Sequence, residues 1–209
     1  MHLKAEEGLF VELVEERKCG ECSVCCFVLN VDTREFQKLP GVPCAHLCDG
    51  GGCSIHATRY PVCRSYHCGW RYLQFLGDDW RPDRSGVLID FQTDDLPSHY
   101  PKRPGIRLTL VDKEKALRRP FYDAVARFIA ADVPVILAVG GPPGHFPAGA
   151  FLNDALKEAV SKRNFSEVET VFVQALKGLE SHRFNRVVHR NGTNSPAQTD
   201  HQPTIKNRV

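Results

Sequence analysis

The sequence predicts an α+β protein, a loop-rich cysteine module packed on a small sheet with several helices. Three observations carry that class. All nine cysteines fall between Cys19 and Cys68, and none follows in the remaining 141 residues. Two runs of strand composition come next, and then three stretches repeat apolar residues at helical spacing. The segregation divides the chain into an N-terminal amphipathic helix over 1–17, a cysteine-rich module over 18–72, an α+β platform over 73–185 and a disordered polar tail over 186–209.

Taken in order, Leu9, Phe10, Leu13 and Val14 fall at helical spacing within "EEGLFVELVEER" and predict a short helix that docks on the module or on the platform. The module itself carries no long periodic run, so it reads as loops. Beyond it, "GVLIDFQ" (86–92) and "IRLTLV" (106–111) predict two strands joined by turn material rich in proline, a hairpin-like pair. Ala116, Leu117, Phe121, Val125, Phe128 and Ile129 form a helical stripe with Pro120 in its first turn or at a kink. "VPVILAVGG" reads as a buried strand. A helix over "FLNDALKEAVSKRN" buries Phe151, Leu152, Ala155, Leu156, Ala159 and Val160. A last helix opens on "SEVE", a capping box of Ser166 and Glu169, and turns Val168, Val171, Phe172, Ala175, Leu176 and Leu179 inward. The final residues are too polar to offset the entropy of ordering them.

Composition excludes several function classes. The 209 residues are 42% hydrophobic and 25% charged, with net charge +2, which is not the electrostatic footprint of a nucleic-acid binder. No uncharged apolar run approaches the roughly 20 residues of a membrane-spanning helix, and the N-terminus lacks the apolar stretch of a signal peptide. The expectation is a cytoplasmic protein with no nucleic-acid or membrane partner.

"KCGECSVCC" (18–26) packs four cysteines into eight positions. Disulfides, a redox dithiol and a thiolate-bound metal are the physical alternatives. An odd count without a secretion signal disfavours a disulfide framework, and a lone C-G-E-C redox pair leaves seven cysteines without a purpose. Metal is left as the favoured reading. Cys19, Cys22 and Cys25 reproduce the opening of a bacterial ferredoxin run, yet position 29, where the next ligand belongs, is Leu. Neighbouring Cys25 and Cys26 would serve two different metal atoms or two corners of a cluster. Zinc competes, with Cys19 and Cys22 as one knuckle and no regular second. Thiolates suit iron–sulfur clusters and zinc and exclude calcium or magnesium.

The blocks "CGECSVCC", "PCAHL" with "GGCSI", and "CRSYHCGW" together resemble the YkgJ-type cysteine-cluster family, zinc- or iron-chelating proteins with a C-x-x-C-x-x-C-C motif. The resemblance implies eight metal-ligating cysteines, which fall here on Cys19, Cys22, Cys25, Cys26, Cys44, Cys53, Cys63 and Cys68, with Cys48 as an extra. His56 stands where the pattern has tyrosine, and Pro61 is one place removed from its Arg59. The implied cofactor is an iron–sulfur cluster, a 4Fe-4S cubane first of all, and/or zinc. Similar motifs in flagellin lysine-N-methylases leave open an iron–sulfur-dependent transferase or oxidoreductase acting on a protein or small-molecule substrate, so whether the chain is an enzyme is undecided at this level.

Several other residues are candidates by position. His46, His56 and His67 sit close enough to cysteines to be ligands or their supports, and Arg59 and Arg64 to donate to sulfur. Phe27, Tyr66 and Trp70 are expected to keep water from the metal. "GGPPGH" (140–145) lacks the residues of a phosphate-binding loop and reads as a turn.

Overall fold

The computed structural model describes residues 12–93, 96–100 and 104–189. Residues 1–11 of the expected N-terminal helix lie outside that range, and residues 12–17 form bends and turns instead of helix. Tertiary bonds explain the difference. The Val14 amide donates to the Arg71 carbonyl at 2.8 Å. The buried Arg17 guanidinium donates to the carbonyls of Trp70, Leu73, Gln74 and Leu76 and lies over the Trp70 ring, 5.3 Å from its centre. A helix would carry Arg17 away from this cluster of acceptors.

The cysteine module is built of turns and very short elements: helix α1 (Val24–Val28), a two-residue hairpin of β1 (Val31–Asp32) and β2 (Gln37–Lys38), and helix α2 (Pro61–Ser65), which starts on proline as a first turn tolerates. None of α1, β1 or α2 contains a buried residue. A one-turn helix α3 (Pro82–Ser85) then leads into the platform.

Four strands form the platform sheet in the order β3 (Val87–Gln92), β4 (Gly105–Leu110), β5 (Val135–Val139), β6 (Ala148–Phe151). The expected β3–β4 hairpin is antiparallel, with Ile89 opposite Leu108. From β4 the chain crosses through α4 (Lys113–Ala116) and α5 (Arg119–Ala130) and returns as β5, parallel to β4. A parallel return needs such a crossover. All five β5 residues are buried, as its continuous apolar text requires. Strand β6 closes the sheet antiparallel to β5 and takes Phe151, which periodicity assigns to the next helix. "AGAF" is too short and too poor in β-branched residues to signal a strand.

Helix α6 (Asn153–Ser161) therefore begins later than its periodicity suggests. Fully buried Asn153 decides the boundary: its Oδ1 accepts from the Val135 amide at 2.7 Å and its Nδ2 donates to the Val133 carbonyl at 2.8 Å, which fastens the helix to β5. Helix α7 (Phe165–Glu180) starts before the expected capping box, because Asn164 caps it by accepting from the Glu167 amide. Val168, Phe172, Leu176 and Leu179 are buried as the stripe predicts. Helices α5, α6 and α7 pack on one another, and α5 and α7 also pack on the sheet. The class is α+β, with a small mixed sheet, helices and long loops.

Residues 186–189 of the expected tail are placed: Val187 is buried, its amide donates to Gly144, and His189 Nε2 meets Asn30 Oδ1 at 2.8 Å. The rest of the tail falls outside the described residues. Among those described, no helix is long and apolar enough to cross a membrane.

Gly69 joins module to platform. A Cβ there would stand 2.5 Å from the Ile89 side chain, so only glycine lets the backbone after buried Cys68 lie directly on β3.

Candidate metal centre

Each part of the module turns its chain around a cysteine. The carbonyls of Cys19, Cys44, Cys53 and Cys68 each accept from the amide three residues on, at 2.9–3.1 Å. Such turns bring later amides back over the preceding sulfur. His46 N donates to Cys44 Sγ at 3.4 Å, the amides of Val24 and Asp83 donate to Cys22, and that of Arg71 donates to Cys68. Amide donors aimed at sulfur favour thiolates, and in metal–thiolate loops they help set the potential.

Backbone contacts hold the turns together. Cys44 N donates to the Cys26 carbonyl at 3.0 Å, and Gly52 N to the Glu21 carbonyl at 3.2 Å. Gly51 has φ +88° and would place a Cβ 2.8 Å from the Glu21 carbonyl oxygen, so the triple-glycine loop is what allows the 44–53 segment to reach the first cysteine cluster.

The result is a cavity of about 110 Å³ lined by Cys19, Cys22, Cys25, Cys26, Cys44, Cys53, Cys63 and Cys68. Cys48 is outside it and exposed. All nine cysteines carry free thiols. The cavity is several times the roughly 10–15 Å³ a single water-sized particle takes. Among the described residues, no three or more His, Cys, Asp or Glu side chains are drawn together as a site for one metal ion. Tetrahedral zinc would require sulfurs within about 3.8 Å of each other. The eight cysteines line one common cavity.

Electrostatics within the ring are uneven. Cys25 and Cys26, adjacent in α1, face the same cavity and share a hydrogen bond. That bond, first of all, lowers Cys26 to about 6, with help from Lys38 and Arg59, and raises Cys25. Burial pushes the Cys22 and Cys63 thiols up and raises Cys68 to about 12, with the neighbouring Cys19 and Asp90 charges adding to the last. A buried thiol held in its neutral form needs a cation to ionise.

Two supports were invisible in the sequence. Buried Lys38 donates from Nζ to the carbonyls of Phe27, Leu39 and Val42 at 2.8–2.9 Å, and so ties α1 to the following loop. Burial lowers its pKa to about 8, against the pull of Cys44, Cys26 and Cys25. Asp83 accepts from the Cys22 thiol while Arg81 grips it through two 2.7 Å bonds. Neither residue carries a sequence signal beyond being polar in a loop.

Of the other candidates, His46, His56 and Arg59 line the cavity, and the Arg59 Nε donates to the His56 carbonyl at 3.0 Å. His67 does not line it. It packs edge-on to Tyr72, and burial lowers its pKa. Arg64 is exposed. Of the expected apolar cover only Tyr66 lines the cavity, with its hydroxyl donating to half-buried Asp90 on β3. Trp70 is in the core and Phe27 is 46% exposed. The cover consists instead of residues such as Leu29, Val31, Ile55 and Val62, with Phe36 stacked on Tyr60 at 4.5 Å.

No protein-family model, curated protein or solved structure matches this chain.

Proposed function

We propose that the chain is a metal-binding protein that holds an iron–sulfur cluster and/or zinc through Cys19, Cys22, Cys25, Cys26, Cys44, Cys53, Cys63 and Cys68. One observation carries the reading: eight cysteines scattered over fifty residues line a single cavity, and the ninth is left outside. Chance burial of small apolar side chains would not sort them so. The donor set fits soft metals, and a cavity larger than one ion favours a cluster over zinc alone. The resemblance to YkgJ-type proteins rests on the same cysteines.

When bound, the metal supplies positive charge that stabilises the thiolates and, as a cluster, a one-electron redox centre. The chain's own residues do the rest. Lys38 and Arg59 place positive charge against the sulfurs, the amides of Val24, Asp83, His46 and Arg71 donate to them, and Phe36, Tyr60 and Tyr66 exclude water. An iron–sulfur-dependent transferase or oxidoreductase is the second reading. It is favoured by a further cavity, in which Phe27 and Val28 of α1 form part of the wall.

Anaerobic purification followed by iron, zinc and acid-labile sulfide analysis tests the proposal. Brown protein with matching iron and sulfide is expected, and Cys26→Ser loses most of it. Colourless protein with stoichiometric zinc would leave metal binding and remove the cluster. Protein with neither metal would end the reading.

A further inference from the structure

The cysteines reach their cavity on two different supports. Cys19 and Cys22 belong to one turn, closed by the Cys22 amide on the Cys19 carbonyl at 3.0 Å, and the Cys22 thiol donates to Asp83 in α3. Cys68 precedes Gly69, whose backbone lies on Ile89 of β3, the strand into which α3 leads. These three cysteines are therefore held against the platform.

The second support is made by the module itself. The Cys44 amide donates to the Cys26 carbonyl at 3.0 Å. Cys53 is fastened to the same loop by its bridge with Leu47 and by the Ser54 amide on the His46 carbonyl at 2.9 Å. The turn that carries Cys63 begins at Tyr60, whose ring lies 6.0 Å from that of His46. None of these contacts involves a platform residue. Adjacent Cys25 and Cys26 lie where the two supports meet, and successive residues of a helix are turned by about 100° around its axis, so α1 can offer one sulfur to each side.

Charge interaction falls with distance, so the sulfurs that act most on each thiol are its close neighbours. Ionisation of Cys68 is opposed most by Cys19 and Cys22, and that of Cys63 by Cys26, Cys44 and Cys53. After its hydrogen-bonded neighbour Cys26, Cys25 is acted on by Cys19 and Cys22. The charged surroundings divide likewise: Asp83 bears on Cys22 and Asp90 on Cys68, whereas Lys38 and Arg59 bear on Cys26.

We infer that the eight thiolates form two separate metal centres, one on Cys19, Cys22, Cys25 and Cys68 against the platform and one on Cys26, Cys44, Cys53 and Cys63 within the module. Four thiolates are a complete ligand set for a cubane cluster or for zinc. The inference rests on the metal-binding reading above and deepens it, because the consecutive cysteines become the junction of two sites.

Iron, zinc and acid-labile sulfide counts on full chains purified anaerobically test it. Wild type is expected to hold metal for two centres. Cys22→Ala and Cys68→Ala each lose one centre and keep the other, and so do Cys44→Ala and Cys63→Ala. The double variant Cys22→Ala/Cys68→Ala loses no more than either single one, whereas Cys63→Ala/Cys68→Ala loses all the metal. With like centres half of the metal remains in each single variant; a cubane beside a zinc shows as loss of iron and sulfide from one set and of zinc from the other. Cys25 and Cys26 stay unchanged in this series, because a variant of either disturbs both centres at the junction. Unchanged circular dichroism from α5–α7 separates loss of a centre from loss of the fold. Wild type with a single cubane or a single zinc overturns the inference without any variant. So do folded single variants that lose all metal, or a Cys63→Ala/Cys68→Ala chain that keeps as much as either single variant. Each of these leaves the metal-binding reading in place, whereas wild type without metal ends both.

Discussion

The module and the platform are held together by different forces. From Val87 to Val187 the chain supplies a continuous apolar core, with Ile89, Ile106, Val125, Val135, Leu137, Leu156 and Phe172 almost wholly removed from water. Between residues 18 and 67 no hydrophobic side chain is buried to that degree, and the only buried polar one is Lys38. Cysteine-ringed loops of this size lack the apolar surface to offset their own ordering. The platform folds by the hydrophobic effect, whereas the module leans on hydrogen bonds, on the Gly69–Ile89 contact and, on the proposed reading, on metal–sulfur bonds that are themselves folding energy.

Metal removal gives the largest expected effect and breaks the comparison if it fails. Chelation under reducing conditions should open residues 18–67 to proteolysis and to rapid hydrogen exchange while β3–β5 and α5–α7 stay protected. Uniform loss of protection would show that the two regions form one cooperative unit. Phe172→Ala acts on the other side. It removes a fully buried ring packed against Phe121 and Tyr122, so it should cost about 3–5 kcal/mol in denaturant unfolding and leave metal content per folded molecule unchanged.

Lys38→Met probes the module without touching a thiol. Three carbonyls lose their donor, a cost of about 2–4 kcal/mol that should show as faster exchange around α1 and weaker metal retention, with the platform unaffected. Cys48→Ser is the smallest. An exposed residue outside the cavity should change stability by less than about 0.5 kcal/mol and leave the metal in place. Loss of metal in this variant would put Cys48 into the ligand set.

Much of the platform was legible because its signals are local. β3, β5, α5 and α7 follow from period and composition, which the hydrophobic effect acts on directly. The failures are tertiary. Strand β6 carries no sequence signal because three small residues and Phe151 are too short a run to show a period, so Phe151 reads as the start of the next helix, and Asn164 displaces the Ser166 cap because the helix extends N-terminally to Phe165. Residues 12–17 gave up helix for the carbonyls around Trp70. Within the candidate centre the cysteines could be picked out as residues, but Lys38 and Asp83 could not, because nothing in a single lysine or aspartate reports that its charge will be buried beside sulfur.

By itself the sequence determined that nine thiols are confined to one segment, that their chemistry is that of soft ligands, and that an apolar α+β body follows. Those are properties of residue type and spacing, which need no coordinates. Only the tertiary structure decided that eight of the nine share a cavity, that Phe27 and Trp70 face elsewhere, and that Lys38 and Asp83 stand beside the sulfurs. Convergence of side chains across a fold depends on turns, bare glycine contacts and long-range hydrogen bonds, and these arise between segments that the linear text keeps apart.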